Sequence, residues 1–355
     1  MNLTDQLIIE DYRKHRDEFV QLGDIVHGIL KSVMQHSDIK YLSIEHRIKT
    51  EKSLAGKLIR YDGWFRSFGE LMDILGARVV CYFSDDVDVI GKAIENEFVI
   101  DRENSSDKRK LIQSDSFGYL SLHYICSLPK DKGYPEKLTN WKFEIQIRTI
   151  LQHAWSDIEH DIGYKSEFGV PREFARGFAR IAGLLELADD EFVRLRNGMA
   201  DYSSQVRQSI IDGSAGDIRL NVVSLNEYVR TNVAMQEFIG DISRITGAEI
   251  DYTDAAGYLE QLAWLKVTTI GDLSDMFMRN KTNALALAKK ALSASDLDIL
   301  SSNTALRFLC HSELLSKAYD RGQIIEFFNI SSRGVNRAEK QADSLLAKRE
   351  LLSEV

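Results

Sequence analysis

Apolar residues recur at helical spacing near the start of the chain, at Leu7, Ile8, Tyr12, Phe19, Leu22, Val26 and Leu30, which predicts one or two helices within residues 1–40. From residue 41 the pattern shortens to alternation. YLSIEHRIK, GARVVCYF, FGYLSLHYICSL and WKFEIQIRT read as strands, and DVDVIGKAIENEF between them reads as an amphipathic helix with Asp85 or Asp86 as N-cap. After residue 150 strand signals nearly vanish. TILQHAWSDIEHD and PREFARGFARIAGLLELADDEFVRLR carry helical stripes, with Pro171 suited to a first helical turn. Ser, Gly and Asp gather over 201–220 and predict a linker or broken helix. Beyond it, 221–355 contains no proline and predicts a mostly α-helical second domain without a fixed-period repeat.

The expected architecture is α+β: leading helices over 1–40, a mixed-sheet domain over 41–200, a linker over 201–220 and a helical domain over 221–355. At 355 residues either domain is long enough to bury its own core. A hydrophobic share of 44% beside a charged share of 28% excludes a disordered chain. No apolar run is long enough to span a bilayer and charges interrupt the N-terminal region, so a cytoplasmic location is expected. Cys81, Cys126 and Cys310 are too few and too scattered for a disulfide framework or a zinc site. The net charge of −9 opposes indiscriminate nucleic-acid binding, which makes a local excess of cations informative.

Such an excess lies between Lys40 and Arg66, with seven Lys or Arg against three Glu or Asp. Alternation over the first strand puts Arg47 and Lys49 on the face opposite Leu42, Ile44 and Ile48. Thr50 then reads as an N-cap, and the helix after it brings Ser53 and Lys57 to one side. Together these present cations and a hydroxyl to a polyphosphate, although a solvated helix face explains much of the same charge. Asp73 sits just before the buried strand containing Arg78, a rigid position suited to a Mg²⁺-binding carboxylate; an exposed turn Asp and a paired Arg are the alternative. In Phe117–His123, Gly118 permits close approach while Tyr119, Ser121 and His123 share a face, as stacking on a base and bonding to a ribose require. A packed sheet face accounts for them equally. In Phe143–Thr149, Phe143, Ile145 and Ile147 point to a core while Glu144, Gln146 and Arg148 line either a cleft or a wet edge. The following helix has His153, Asp157 and His160 on its polar side.

Taken in order, HRIKTEKSLAGKL, DILGARVV, GYLSLH, EIQIRT and HAWSDIEHDIGYK resemble the RelA/SpoT-type alarmone synthetases, especially the short enzymes without a hydrolase half, over about residues 41–165. The resemblance implies a mixed sheet related to nucleotidyltransferases and transfer of the β,γ-pyrophosphate of ATP to a ribose 3′-hydroxyl. It implies that Arg47, Lys49, Ser53, Lys57 and Arg78 hold ATP, and that Asp73 binds Mg²⁺. Glu144 then shares the metal or takes the proton from the attacking hydroxyl, and Tyr119 stacks on the acceptor base. Ser121, His123, Gln146, Arg148 and His153 are expected to bind the acceptor or support the site, and His160, Tyr164 and Lys165 match the end of the pattern.

One departure concerns the acceptor. Family members that use GDP or GTP carry a lysine shortly before the Gly-Tyr pair and an arginine just after it, whereas Ser114–Leu120 has neither; Lys108, Arg109 and Lys110 are the nearest replacements. Three readings follow: synthesis of (p)ppGpp from GDP or GTP, toxic pyrophosphorylation of the tRNA 3′-CCA end, and a catalytically silent nucleotide- or RNA-binding regulator. Under the second, residues 221–355 or an antitoxin partner restrain the enzyme. The presence of both Asp73 and Glu144 favours an enzyme over a binder. No membrane partner is expected, and an oligomer is compatible with the sequence.

Overall fold

In the computed structural model, residues 2–107, 121–163, 172–331 and 336–349 are described. The chain divides into two compact units, 1–196 and 197–355.

The first unit is built on a five-stranded mixed sheet: β1 (Tyr41–Ile48), β2 (Leu75–Cys81), β3 (Val99–Asp107), β4 (Leu122–Ser127) and β5 (Phe143–Thr149). Their order across the sheet is β1-β2-β5-β4-β3. β2 and β5 are parallel, and the remaining neighbours are antiparallel. Alternation in β5 sends Phe143, Ile145 and Ile147 into the core at 0% exposure. There they join Leu75, Ala77 and Val79 of β2 and the apolar stripe of α1 (Leu3–His36).

The leading region is thus one helix. Asn2 and Asp5 form a capping box at its start, and its stripe of Ile8, Tyr12, Phe19, Leu22, Val26 and Leu30 is buried along its length. Its approach to β1 is close: a Cβ on Gly23 would lie 2.7 Å from the His46 ring. Trp141, ahead of β5, packs against Phe19 and Phe68 and donates its indole N–H to Glu18 at 2.7 Å.

The expected helix after β2 is α3 (Asp86–Glu97), with Asp85 at the N-cap position but no side-chain capping bond. α2 (Glu51–Arg60) and the short α4 (Glu136–Thr139) precede β2 and β5. α5 (Ile150–Gly163) and the 40-residue α6 (Arg172–Ile211) follow β5. Two details differ from the sequence expectation. A bulge between Tyr41 and Ser43 leaves Leu42 47% exposed, not on the apolar face. β3 is an additional strand, paired to β4 with an irregularity between Asp101 and Ser106.

In the second unit, residues 201–211 continue α6 where a linker was expected. The rest of that stretch is tied down by backbone bonds: Leu220 N–H to Thr268 O, Ile270 N–H to Ile218 O and Gly271 N–H to Gly216 O, each 2.8–2.9 Å. Here glycine provides close packing, since a Cβ on Gly271 would lie 2.8 Å from Gly216 O. The unit is predominantly helical, as expected: α7 (Val222–Thr231), α8 (Val233–Thr246), α9 (Leu259–Trp264), α10 (Ile270–Leu292), α11 (Asn303–Ser316), α12 (Arg321–Ser331) and α13 (Arg337–Leu346). They enclose one core containing Tyr228, Phe238, Leu273, Leu309 and Phe327. A two-stranded parallel sheet of β6 (Glu249–Asp251) and β7 (Ile299–Ser301) is the addition. All three cysteines are free and buried, and no described helix is long and apolar enough to cross a membrane.

If α1 is part of the sheet domain's core, Leu22→Ala will lower the stability of the first unit by about 2–5 kcal/mol. Calorimetry checks this: an unchanged first-unit transition would make α1 peripheral.

Candidate active site

The parallel register of β2 on β5 opposes Gly76 to Glu144, while the antiparallel register of β1 on β2 opposes Arg47 to Gly76. A row Arg47–Gly76–Glu144 therefore crosses one face of the sheet. Gly76 is its floor: a Cβ there would meet nothing within 4 Å, so the backbone lies open to a ligand between a cation and a carboxylate. Arg78 and Gln146 form the next row in the same register, with His123 beyond them on β4.

Asp73 precedes β2, and two lysines meet its Oδ2. Lys49 leaves the end of β1, where its N–H continues the ladder to Ile74 O at 2.8 Å and its carbonyl accepts the Tyr12 hydroxyl at 2.7 Å. Its ammonium is hydrogen-bonded to Asp73. Lys57, in the second turn of α2, reaches the same oxygen at 2.8 Å and lies 5.2 Å from the Phe65 ring centre. Thr50 is the N-cap of α2 as expected, accepting from Ser53 N–H at 3.2 Å and donating to Ser53 Oγ at 2.9 Å. Burial works to raise the Asp73 pKa, but the two ammoniums outweigh it and hold this carboxyl below its ordinary value.

Glu144 is gripped at both oxygens. His123 Nδ1 lies 2.7 Å from Oε1, and the Gln146 amide donates to Oε2 at 2.8 Å. The other His123 nitrogen is 2.6 Å from Ser121 Oγ, and Arg148 donates to Gln146. Burial again pushes upward; the contacts with His123 and Gln146 prevail and leave Glu144 below the ordinary glutamate range. Among the opposing influences is the negative charge of Asp73, so the two carboxylates sense one another.

Arg78 points to α5, with its guanidinium 3.2 Å from His153 Nδ1 and 3.8 Å from Asp157. Burial, reinforced by the charges of Arg78 and Arg148 and opposed by Asp157, holds the His153 pKa down. α5 is anchored at its start by a capping box in which Thr149 and Gln152 exchange backbone-to-side-chain bonds of 3.0 and 3.1 Å. Thr149 also donates to the buried Asp189 of α6 at 2.7 Å.

The structure thus gathers Lys49, Lys57, Asp73 and Glu144, with Arg47 on the same sheet face, Ser53 exposed on α2 and Arg78 beside them. Ser121 at 0% and Arg148 at 2% exposure are buried, and their contacts run to neighbouring site residues. Ser121 acts on His123, and Arg148 on Gln146. His123 and Gln146 serve Glu144, and His153 serves Arg78. Tyr119, with Gly118, Lys108–Lys110, Tyr164 and Lys165, lies outside the described residues, as does the His160 side chain. Sequence reading overlooked Gly76, the Thr149–Gln152 capping box and Asp189. The box was legible as Thr-x-x-Gln before an apolar run, whereas Asp189 is distant in sequence and gave no signal.

Asp73 Oδ1 is buried without a hydrogen-bond partner among the described residues. A free, ionised oxygen next to Glu144 fits Mg²⁺, which takes one or two protein carboxylates and completes its shell with phosphate oxygens and water. No cluster of three or more His, Cys, Asp or Glu side chains that could hold a metal ion occurs among the described residues.

Residues 46–168 match the family model described as the region found in RelA / SpoT proteins. Two Bacillus subtilis (strain 168) proteins are similar to it. GTP pyrophosphokinase YjbM is 27% identical over 164 residues, covering 45% of this chain and 74% of that protein. GTP pyrophosphokinase YwaC is 29% identical over 161 residues, covering 43% and 74%. The crystal structure of small alarmone synthetase 1 from Bacillus subtilis aligns with a TM-score of 0.46 at 22% identity, over 54% of this chain and 99% of that one.

Burial raises the Asp189 pKa to about 6, with Thr149 opposing and Asp190 adding to the rise. An acid with a raised folded-state pKa contributes stability below its unfolded value, and that contribution is lost as pH rises through about 6. Asp189→Asn, which still accepts from Thr149, will therefore be close to neutral at pH 4 and stabilising at pH 8 in thermal melts. A variant equally or more destabilised at pH 8 than at pH 4 would contradict this.

Proposed function

We propose that the first unit is an ATP-dependent pyrophosphokinase that transfers the β,γ-pyrophosphate of ATP to the 3′-hydroxyl of GDP or GTP. The observation that carries this reading is the convergence of Asp73, Lys49 and Lys57 beside an ionised Glu144, at the start of two adjacent parallel strands. A purely structural ion pair requires neither two lysines on one carboxylate oxygen nor a second carboxylate held at both oxygens nearby. The names of the two Bacillus proteins, both GTP pyrophosphokinases, support the same reading.

In the proposed reaction the acceptor's 3′-oxygen forms a bond to the β-phosphorus of ATP, the bond between that phosphorus and the α,β-bridging oxygen breaks, and AMP leaves. Glu144 receives the hydroxyl proton; its depressed pKa keeps it ionised at neutral pH, and His123 and Gln146 fix its orientation. Lys49 and Lys57 balance Asp73 in the free protein and offer the same ammoniums to the triphosphate, with Arg47, Ser53 and Arg78 completing the ATP side. Mg²⁺ held by Asp73, with Glu144 adjacent, would neutralise phosphate charge and orient the chain. Tyr119 is assigned to the acceptor base.

A second acceptor remains in contention on one observation: Ser114–Leu120 contains no Lys or Arg to meet a 5′-polyphosphate. The tRNA 3′ end needs none, and in that reading the protein is a toxin restrained by its second unit or an antitoxin.

Incubation with γ-labelled ATP, Mg²⁺ and, separately, GDP, GTP or deacylated tRNA tests both readings. Label is expected on the guanine nucleotide. Label on tRNA alone would replace the acceptor, and no transfer to any of them would remove the enzyme assignment. Glu144→Gln will keep ATP affinity within a few-fold while transfer falls by about 10²–10⁴. Full activity in that variant would exclude Glu144 as the proton acceptor.

A further inference from the structure

The second unit contains a cavity of about 580 Å³ among α9, α10, α11, α12 and α13, within the size range of small-molecule sites, and an adjoining recess of about 240 Å³. Arg307 and Lys348 line the cavity; Arg337, Lys340 and Lys348 line the recess. No carboxylate lines either space among the described residues, although the chain carries 54 acids against 45 Lys and Arg.

The charge separation is built into α13 and the residues just after it. Arg337, Lys340, Ser344 and Lys348 line the recess. Asp343 instead pairs with Arg321 at 2.7 Å, and the Glu339 charge also acts on Arg321. Arg307 makes no ion pair with a described residue, and its guanidinium stands 4.7 Å from the Phe308 ring centre. The remaining wall is aromatic and neutral. Phe308 and Phe328 flank His311 edge-on at 6.2 and 5.4 Å, and Tyr258 and Phe327 add to the same wall. Burial, then the charges of Arg307 and Lys348, hold the His311 pKa down to about 3, so it is a neutral hydrogen-bonding group. Gln261, itself buried, donates to Ser331 at 2.9 Å along the rim.

We propose that this cavity is a second ligand site, formed by the helical unit, that binds a nucleotide: Arg307, Lys348, Arg337 and Lys340 take the phosphates, and the base lies against the part-exposed rings of Tyr258 and His311, backed by the buried Phe308 and Phe328. Cations without an ion-pair partner among the described residues, beside a space of this size, attract phosphate oxygens, because charge-assisted hydrogen bonds are the strong ones. An aromatic wall next to them selects a ligand with a flat ring over a simple polyanion.

Hydrogen–deuterium exchange on the full chain tests this, because peptides from the two units report separately. With millimolar ATP or GTP, protection is expected in peptides covering 303–316 and 337–346, alongside any protection over 47–57. Arg307→Glu with Lys348→Glu will weaken the former by about tenfold or more in nucleotide concentration, leaving the latter in place. Wild-type protein showing no protection over α11 and α13 overturns the proposal without relying on any variant's folding. Equal protection by tripolyphosphate overturns the assignment of the aromatic wall to a base, and equal protection by unphosphorylated adenosine or guanosine overturns the role of the cations.

Discussion

The parallel pairing of β2 with β5 is the constraint on which the rest of the first unit depends. Its register opposes Gly76 to Glu144 and brings Asp73, at the entry to β2, to the same end of the sheet. A shift of one residue would turn Glu144 into the core and Ile145 onto the open face. The register is guarded by the apolar face: Phe143, Ile145 and Ile147 are fully buried against α1 and β2. Burying that face and aligning the carboxylates are the same structural event.

Two carboxylates close enough to feel each other repel, and burial penalises both. The fold offsets this with positive charge on Asp73 and hydrogen-bond donors on Glu144. For Asp73 the donors are Lys49, whose backbone is fixed by the ladder and by Tyr12, and Lys57, fixed by a capped helix. For Glu144 they are His123 and Gln146, in turn oriented by Ser121 and Arg148. Both carboxylates are consequently ionised at neutral pH before any ligand arrives. Preorganisation of this kind suits phosphoryl-type transfer, in which the protein's contribution is positioning and charge balance.

Much of this was readable in the sequence where local chemistry and tertiary role coincide. The alternation of Phe143–Thr149 identified both its faces, and Thr50 announced α2 and with it the placement of Lys57. Ser121 and Arg148 were legible as polar residues on a strand but not as buried ones, because burial there comes from neighbouring segments rather than from alternation. β3 escaped because Glu103–Asp107 is polar and gives no period-two signal, as an edge strand permits. Residues 201–211 looked like part of a linker or broken helix because Ser203, Ser204 and Ser209 weaken helix propensity, yet Val206 and Ile210 are buried in the second unit's core and override it. The cation-lined cavity of the second unit had no sequence signature at all, since its residues come from five helices and the acids of α13 act on Arg321.

Asp73 and Glu144, seventy-one positions apart, form one electrostatic site. The most direct measurement is an NMR titration of the Glu144 side-chain carboxyl carbon in wild type and in Asp73→Asn. The wild-type carboxyl should titrate below the ordinary glutamate value, and removal of the Asp73 charge should move it lower still. A Glu144 pKa that is unchanged or higher in Asp73→Asn would show that the two groups do not share a site.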